Sequence, residues 1–317
     1  MKPIGGYFEW EFPANDGTIP HSDGVLLNSG RHSLEYILRS LGEIERLWIP
    51  YYTCNVVLQP IERLNVPYSF YHINQDFSLA DEIILKEGEY LIYTNYFGVM
   101  DEYCGRLANI YGKQLILDNA QAFFASHIEG INTFYSPRKF VGIPDGGIAY
   151  VNCPLSVDLP KDHSYDRCSH LLKRHELLPM EGYNDFKECS HKIACSPMSE
   201  MSSLTSKMLS SLDYEVIMKK RIANFTFLHD NLKQFNKLEI PAIDSFVCPM
   251  VYPFMSDDES IRARLIENKV FVALYWPNVL ERCKEGDLEY KFAKQIIPLP
   301  IDQRYGVEDM ERIIEVI

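Results

Sequence analysis

Short apolar runs alternate with amphipathic stretches over the first half of the chain, and this alternation constrains the fold most strongly. One helix is predicted from the recurrence of four apolar residues at helical spacing from Leu34, and it ends at Gly42. Further helices are expected at 55–64 and 101–111. Strands are predicted at 47–49, 68–71, 90–93, 113–117 and 148–151. Strands separated by helices indicate a three-layer α/β fold, with a mainly parallel sheet and helices on both faces.

The second half of the sequence follows a different pattern. Residues 162–235 are predicted to be mostly helical. In the last part of the chain, strands are expected at 246–251 and 270–273 and helices at 258–268 and 307–317, which indicates a small α+β unit. The chain is therefore expected to divide into an N-terminal arm, a large domain and a small C-terminal domain. These would span residues 1–24, 25–235 and 236–317.

The overall charge makes one large class of partners unlikely. The chain has 317 residues, with 44 acidic and 31 basic side chains and a net charge of −13. Broad nucleic-acid binding needs a basic face that neutralises phosphates, so it is not expected. A small anionic ligand remains compatible with this charge, because a helix N-terminus and one or two cations suffice to hold it.

Neither a membrane anchor nor a metal site is predicted. No run of about 18 apolar residues occurs, and residues 1–6 lack the apolar region of a secretory signal. The eight cysteines form no Cys-x-x-Cys pair, which favours a cytoplasmic protein with reduced thiols. Two clusters resemble metal ligands, but their spacings match no zinc pattern. They are His163/Cys168/His170 and Cys189/His191/Cys195.

An aspartate and a lysine carry the strongest chemical signal. Asp118 follows the strand-like run 114–117, and Lys139 lies among apolar neighbours before a turn at 144–147. These neighbours and the adjacent cation of Arg138 favour the neutral, nucleophilic amine. An acid that protonates a pyridine nitrogen and a lysine that forms an imine are what a pyridoxal phosphate site needs. The alternatives are a helix cap for Asp118 and an ordinary solvated side chain for Lys139.

The start of the first helix is a second candidate site. Asn28-Ser29-Gly30-Arg31 opens this helix, and the free N–H groups of a helix start, together with a hydroxyl, suit a phosphate. The alternative is that Asn28 or Ser29 only caps the helix. In the predicted fold, this segment, Asp118 and Lys139 all lie beyond the carboxyl ends of strands, where open α/β sheets bind ligands.

Several segments along nearly the whole chain together suggest a family. They are Ser29-Gly30-Arg31, Pro50-Tyr51-Tyr52-Thr53, Asp118-Asn119-Ala120-Gln121, Ser136-Pro137-Arg138-Lys139, Asp145-Gly146-Gly147 and the run from Leu299 to Tyr305. In these segments and in their order, the chain resembles the DegT/DnrJ/EryC1/StrS aminotransferases. The family is a branch of the fold type I pyridoxal phosphate-dependent enzymes, so the resemblance implies that fold and pyridoxal 5′-phosphate as cofactor.

The resemblance also implies roles for individual residues. Lys139 looks like the lysine that forms the Schiff base with the cofactor, and Asp118 like the partner of the pyridine nitrogen. Gln121 occupies the position where the family places a His or Gln near the 3-hydroxyl group. The segment 29–31 matches the one whose amides hold the phosphate.

Two positions depart from the family pattern. Family members often carry an aromatic residue that stacks on the cofactor ring where this chain has Cys54, which leaves Tyr52 or Tyr96 as candidates for the stacking face. The usual serine five residues before the lysine is replaced by Phe134, which leaves Ser136 as a candidate phosphate ligand.

The resemblance implies an aminotransferase that moves an amino group from an amino acid, by analogy glutamate, to a keto acceptor such as a nucleotide-linked keto-sugar. It also implies a homodimer with shared active sites. The partner's contribution is expected from residues 181–204, with Tyr183, Asn184 and Ser199 as candidates. Two alternatives stay open. One is another pyridoxal phosphate reaction, by a lyase, dehydratase or decarboxylase, and the other is a non-enzymatic member of the family.

Overall fold

A seven-stranded sheet forms the centre of the molecule. The computed structural model describes residues 6–13, 18–241 and 247–317. The strands are β1 (Val25–Leu27), β2 (Arg46–Pro50), β3 (Tyr68–Tyr71), β4 (Glu89–Thr94), β5 (Leu115–Asn119), β6 (Asn132–Tyr135) and β7 (Gly147–Tyr150). Their order across the sheet is β1-β7-β6-β5-β4-β2-β3. The five strands from β6 to β3 are parallel, whereas β7 is antiparallel to both of its neighbours.

Helices cover both faces of this sheet, which confirms the three-layer α/β prediction. They are α1 (Gly30–Leu41), α2 (Leu58–Arg63), α3 (Asp101–Tyr111), α4 (Ser169–Glu176), α5 (Tyr183–Cys195), α6 (Ser203–Ser210) and α7 (Tyr214–Leu232). Successive residues of β4 point to opposite layers, as a pleated strand requires. Ile92 packs in the cluster with α1 and α2, while Leu91 and Tyr93 pack in the cluster with α3. Both faces are apolar, as is typical of parallel strands buried on two sides.

The C-terminal part contains a two-stranded antiparallel sheet and four helices. The strands are β8 (Val251–Met255) and β9 (Ile296–Pro300), and the helices are α8 (Ile261–Glu267), α9 (Pro277–Arg282), α10 (Leu288–Gln295) and α11 (Val307–Val316). One apolar cluster joins Tyr93 of β4 and Phe225 of α7 to Phe254 of β8 and Met310 of α11. The two sheets therefore share a core, and a domain boundary at residue 235 remains a prediction.

Two strand predictions in this region are wrong. In the predicted strand 246–251, Phe246 lies outside the described residues, 247–250 are not in a strand, and β8 begins only at Val251. Residues 270–273 form no strand either. The partner of β8 is β9, which was not predicted. Its sequence contains Pro298 and Pro300, and proline argues against a strand because it is tolerated mainly at sheet edges.

The other helices and strands predicted for the N-terminal half are present, and their first or last residues differ from the predicted ones. The predicted first helix is α1, and the helix predicted at 55–64 is a short 3₁₀ turn at Asn55–Val57 followed by α2. Strands β1 and β6 were not predicted, because β1 has only three residues and β6 begins with the polar pair Asn132-Thr133. Residues 1–5 and 14–17 of the expected arm lie outside the described residues, and the described residues before β1 form no helix or strand. Among the helices of the described residues, none has the length and apolar character needed to cross a membrane.

Candidate active site

One edge of the large sheet gathers most of the predicted site residues. Strand β1 runs in the same direction as β6, because both are antiparallel to β7. The carboxyl ends of β1, β2, β4, β5 and β6 therefore lie at the same edge. A cavity of about 280 Å³ opens there. The predicted site residues that line it are Ser29, Gly30, Arg31, Cys54, Asp118, Gln121, Ser136 and Lys139.

Asp118 lies at the end of β5 and is buried. Its Oδ1 accepts a hydrogen bond of 2.9 Å from the backbone N–H of Ala120, so the carboxylate is fixed in one orientation. Burial raises the pKa of Asp118 above its usual value, and the positive charge of Lys139 opposes this shift. A buried carboxylate at a cavity wall is stabilised by a ligand that brings a cationic N–H group, since this offsets the lost hydration.

Gln121 is almost fully buried and is held at one end only. Its Oε1 accepts a hydrogen bond of 2.7 Å from the backbone N–H of Phe97. This bond determines the orientation of the amide, and the Nε2 group has no hydrogen-bond partner among the described residues. Buried amide donors are normally paired, so this one is available to an oxygen atom of a ligand.

Lys139 ends a 3₁₀ turn at Pro137–Lys139 directly after β6, and its side chain is exposed. The sequence predicted that apolar neighbours surround the amine of Lys139; Phe134 does line the same cavity, but the residues that follow Lys139 do not surround it. Phe140, Val141 and Ile143 are buried in a hydrophobic cluster of their own. Their side chains anchor the turn in the core and leave the amine of Lys139 at the cavity.

The N-terminus of α1 faces the same cavity at Ser29 and Gly30. Ser29 caps the helix, because its Oγ accepts a hydrogen bond from the N–H of His32 at 3.2 Å, so the predicted capping role is real. A methyl group on Gly30 would lie 3.1 Å from Cβ of Ser136, which places Ser136 against the first turn of the helix. The N–H groups of a first helical turn lack partners within the helix, and the helix dipole favours an anion there.

The helix start is held in place by a buried polar network. The backbone carbonyl of Asn28 accepts from the N–H of Gly146 at 3.0 Å, and its side-chain Oδ1 lies 2.6 Å from Nδ1 of His32. Asn28 and His32 are both fully buried. Burial lowers the pKa of His32 to about 4, so the ring is neutral at physiological pH and donates from Nδ1 to Asn28.

Two arginines at the cavity have no acidic partner at ion-pair distance among the described residues. They are Arg31 and Arg138. Burial lowers the pKa of both, and the charge of Arg138 lowers that of Arg31 further. Nη1 of Arg31 is buried without a hydrogen-bond partner. Desolvated and unpaired guanidinium groups beside a helix N-terminus indicate a site for an anion.

Solved structures match this fold, although no known family model and no curated protein matches the sequence. The putative sugar aminotransferase Spr1654 of Streptococcus pneumoniae has 16% identity and a TM-score of 0.63 over 96% of this chain and 90% of that chain. DesV of S. venezuelae has 15% identity and a TM-score of 0.62 over 92% and 83%. A DegT DnrJ EryC1 StrS aminotransferase from Brucella abortus has 15% identity and a TM-score of 0.59 over 92% and 84%. The chain has the DegT/DnrJ/EryC1/StrS aminotransferase fold.

Within this fold, the two tyrosines predicted to stack on a ligand ring are not at the cavity. Tyr52 and Tyr96 are fully buried in the core, with ring centroids 5.6 Å apart, and the Tyr96 hydroxyl donates to the carbonyl of Tyr52. Neither residue lines the cavity. The aromatic side chains that do line it are Phe134, Phe186 and Trp276, and none of them was predicted for the site.

Trp276 comes from the C-terminal part of this aminotransferase fold. The helix that follows it, α9, contacts the segment after β2, because Nδ2 of Asn278 donates to the carbonyl of Thr53 at 2.9 Å. Thr53 and Thr94 also line the cavity. The hydroxyl of Thr94 interacts with the carboxylate of Asp118 and lowers its pKa, against the larger effect of burial. The sequence offered no local signal for these residues, because their place at the site depends on contacts between distant segments.

Helix α5 covers the cavity from within the same chain. Phe186, Ser190 and Ile193 of this helix line the cavity together with α1 and the segment after β2. Of the residues expected to reach a partner subunit, Ser199 is buried and engaged in its own chain, where its carbonyl accepts from the N–H of Asn28 at 3.0 Å. Tyr183 and Asn184 are exposed. Three residues of the range 181–204 thus line a cavity of their own chain, and a contribution of this range to a partner subunit remains a prediction.

The candidate metal clusters have other contacts in the structure. Cys189 is buried, and its Sγ lies 3.3 Å from the carbonyl of Pro144. Cys195 contacts His191 at 3.7 Å, one turn earlier on α5. Within residues 6–13, 18–241 and 247–317, no group of three or more His, Cys, Asp or Glu side chains has an arrangement that could hold a metal ion.

Proposed function

We propose that the protein is a pyridoxal phosphate-dependent aminotransferase. The observation that carries the proposal is the convergence of Asp118, Gln121 and Lys139 with the N-terminus of α1 on one cavity. A single ligand would need to present a cationic nitrogen, an oxygen acceptor, a carbonyl carbon and an anionic group. Pyridoxal 5′-phosphate carries all four.

The groups left unpaired in the cavity fit this cofactor. The Nε2 donor of Gln121 would serve the 3-hydroxyl oxygen, and the buried carboxylate of Asp118 would pair with the pyridine nitrogen. The helix start at Ser29 and Gly30, together with Arg31, would hold the phosphate. When bound, the cofactor supplies an electron sink that stabilises negative charge on the carbon atom beside the transferred amine.

Each of the two central residues then has a defined task. Asp118 keeps the pyridine nitrogen protonated, since its buried carboxylate gains more from a cation than from water. Lys139 would hold the cofactor through its Nζ atom. The same Nζ, when not holding the cofactor, would accept and return a proton at the reacting carbon. The exposure of Lys139 to the cavity supports both tasks.

The proposed donor is an amino acid, by family analogy glutamate, and the proposed acceptor is a keto compound of the sugar type. Two proteins with this fold support a sugar-type acceptor. One is the putative sugar aminotransferase of S. pneumoniae, and the other is DesI, whose structure was determined in the presence of its TDP-sugar product. DesI has 13% identity and a TM-score of 0.63 over 92% of this chain and 79% of that chain.

A homodimer is part of the proposal. Four large apolar side chains are exposed within the short segment 172–180, and exposed apolar side chains grouped in this way are typical of protein contacts. They are Leu172, Leu177, Leu178 and Met180. The molar mass of the purified protein in solution, measured by light scattering, tests this part independently of the chemistry.

Conversion of the cofactor tests the reaction type. The purified protein, loaded with pyridoxal phosphate, is incubated with L-glutamate, and the released cofactor is identified by chromatography. Transamination leaves the amine on the cofactor, so we expect pyridoxamine phosphate in an amount equal to the loaded sites. Recovery of pyridoxal phosphate alone, with each of the common amino acids as donor, would contradict the proposal and favour a lyase or decarboxylase.

A further inference from the structure

A second cavity of about 240 Å³ adjoins the first and shares Arg138 and Phe186 with it. Its walls come from residues 141–143, which follow the Lys139 turn, from α4, and from the N-terminal turn of α5. Arg304, after β9, completes it. Of the residues that the sequence analysis named for the active site, Arg138 and Tyr183 line this cavity, whereas Asp118, Gln121 and Lys139 do not. The proposed aminotransferase chemistry does not use it.

The charge around the second cavity is positive, although the chain as a whole carries −13. Arg138, Arg174 and Arg304 line it, and its described lining includes no Asp or Glu. Arg304 is already paired, because its Nε and Nη2 donate to Asp302 at 2.6 and 2.9 Å. Arg138 and Arg174 form no ion pair with any described residue, and Nη2 of Arg138 donates to Sγ of Cys189 at 3.5 Å. The other donors of Arg138 and those of Arg174 are therefore available to an anion in the cavity.

The remaining wall is apolar and aromatic. Val141, Ile143 and Leu171 line it beside the rings of Tyr183 and Phe186. These two rings are nearly parallel, at 20° with centroids 6.4 Å apart. The guanidinium carbon of Arg138 lies 5.9 Å from the Phe186 ring centroid, so cation and ring form one continuous surface. Such a wall suits a flat apolar body, while the arginines suit an attached acidic group.

We propose that the second cavity binds an organic anion, a carboxylate or a phosphate ester with an aromatic or apolar body. Arg138 and Arg174 hold the acidic group, and the body lies against the Tyr183–Phe186 wall. Because Arg138 lines both cavities, this ligand lies next to whatever occupies the first one. The proposal goes beyond the aminotransferase function and holds whether or not the first cavity takes pyridoxal phosphate.

Binding of simple probes to the purified full-length protein tests this site. Phenyl phosphate and phenylacetate are titrated by calorimetry, with phenol and inorganic phosphate as the separate halves of the ligand. We expect saturable binding of at least one of the two aryl anions and weaker binding of both halves. The preferred anion identifies the acidic group. The absence of saturable binding of either aryl anion, or equal binding of phenol, would overturn the proposal.

Two variants test whether the anion binds in the second cavity. Gly142 lines only that cavity, its φ is not in the positive region, and a Cβ there would meet only Leu171 Cδ2 at 3.6 Å. Gly142→Leu is therefore expected to fold and to abolish binding by occupying the space. Arg174→Gln is expected to weaken binding roughly tenfold, since a hydrogen bond to a charged group is lost. A Gly142→Leu protein with normal melting and unchanged affinity would overturn the proposal.

Three matched variants serve as controls. Gly286→Leu adds the same side chain at a glycine with no atom within 4 Å, and Arg106→Gln removes an exposed arginine of α3. Arg31→Gln changes a residue that lines only the first cavity. All three should bind the aryl anion within about threefold of the unaltered protein, since surface and distant substitutions act independently. A loss in Arg31→Gln equal to that in Arg174→Gln would place the anion in the first cavity and refute the assignment.

Discussion

Gly147 of β7 lies against Ser29 so closely that a methyl group on Gly147 would be 2.2 Å from both the carbonyl carbon and the carbonyl oxygen of Ser29. It would also be 2.6 Å from the backbone nitrogen of Gly30. These are backbone atoms, which cannot rotate away as a side chain can. Contact between β7 and the start of α1 thus depends on the absence of a side chain at position 147, and the proposed phosphate site is built on this contact.

Gly147→Ala is therefore expected to destabilise the fold, by at least about 3 kcal/mol, because the overpacking acts on backbone. The measurement is the free energy of unfolding from urea titration. Gly105→Ala is the matched control, since Gly105 lies in α3 and a Cβ there meets no atom within 4 Å. That control should stabilise the protein by up to about 1 kcal/mol through helix propensity. Equal stability of the two variants would contradict the close approach.

Asp118→Asn should separate activity from stability. The asparagine Oδ1 still accepts the Ala120 N–H, and the desolvation that raises the pKa of Asp118 is removed. We expect the cofactor-free protein to melt no earlier than the unaltered one, while kcat falls by about 10²–10³-fold, as for loss of a preorganised electrostatic contact.

A second aspartate provides the control for this experiment. Oδ1 of Asp76 also accepts from the N–H two residues further along, that of Ser78, but Asp76 is exposed and does not line the cavity. Asp76→Asn should leave kcat unchanged. If Asp118→Asn kept full activity, Asp118 would have no electronic role and its proposed contact with the pyridine nitrogen would be wrong.

His32 makes stability depend on pH. Burial lowers its pKa from 6.5 to about 4, so the folded state resists protonation while the unfolded chain accepts a proton near pH 6.5. The contribution of His32 is fully present above that value and is lost as pH falls from 6.5 towards 4. The loss is on the order of 3 kcal/mol.

The His32→Gln variant isolates this effect. The free energy of unfolding of both proteins is measured at several values between about pH 7 and about pH 4.5. The difference between them should shift in favour of the variant as pH falls. Asn109→Gln, which removes no titratable group at an exposed position of α3, should show no such shift. Parallel curves for His32→Gln and the unaltered protein would show that His32 is not the titrating group.

The sequence predicted the fold where its pattern is local and failed where the structure depends on distant contacts. The alternation of apolar runs with helices up to residue 151 is a local pattern, and it became the large sheet. Strand β9 was not predicted, because Pro298 and Pro300 interrupt its strand-like pattern. The apolar run 270–273 suggested a strand, but β8 and β9 pair with each other and neither pairs with this run.

The candidate site divides in the same way. Residues at strand ends and at the first helix could be found, since position along the chain determines which sheet edge they reach. Tyr52 and Tyr96 were misplaced because the direction of a side chain depends on packing, and their rings complete the core. Phe186 and Trp276 reach the cavity from segments far away in the sequence, and no local pattern marks them.

Covalent attachment at Lys139 is the central claim, and one measurement tests it most directly. The protein is mixed with pyridoxal phosphate, reduced with borohydride and digested, and the modified lysine is identified by mass spectrometry. We expect the reduced cofactor on Lys139, no stable attachment in Lys139→Ala, and full attachment in Lys113→Ala, a control at another exposed lysine. Because Lys139 is exposed, Lys139→Ala should change stability by no more than about 0.5 kcal/mol. Attachment to a different lysine, or none at saturating pyridoxal phosphate, would contradict the account.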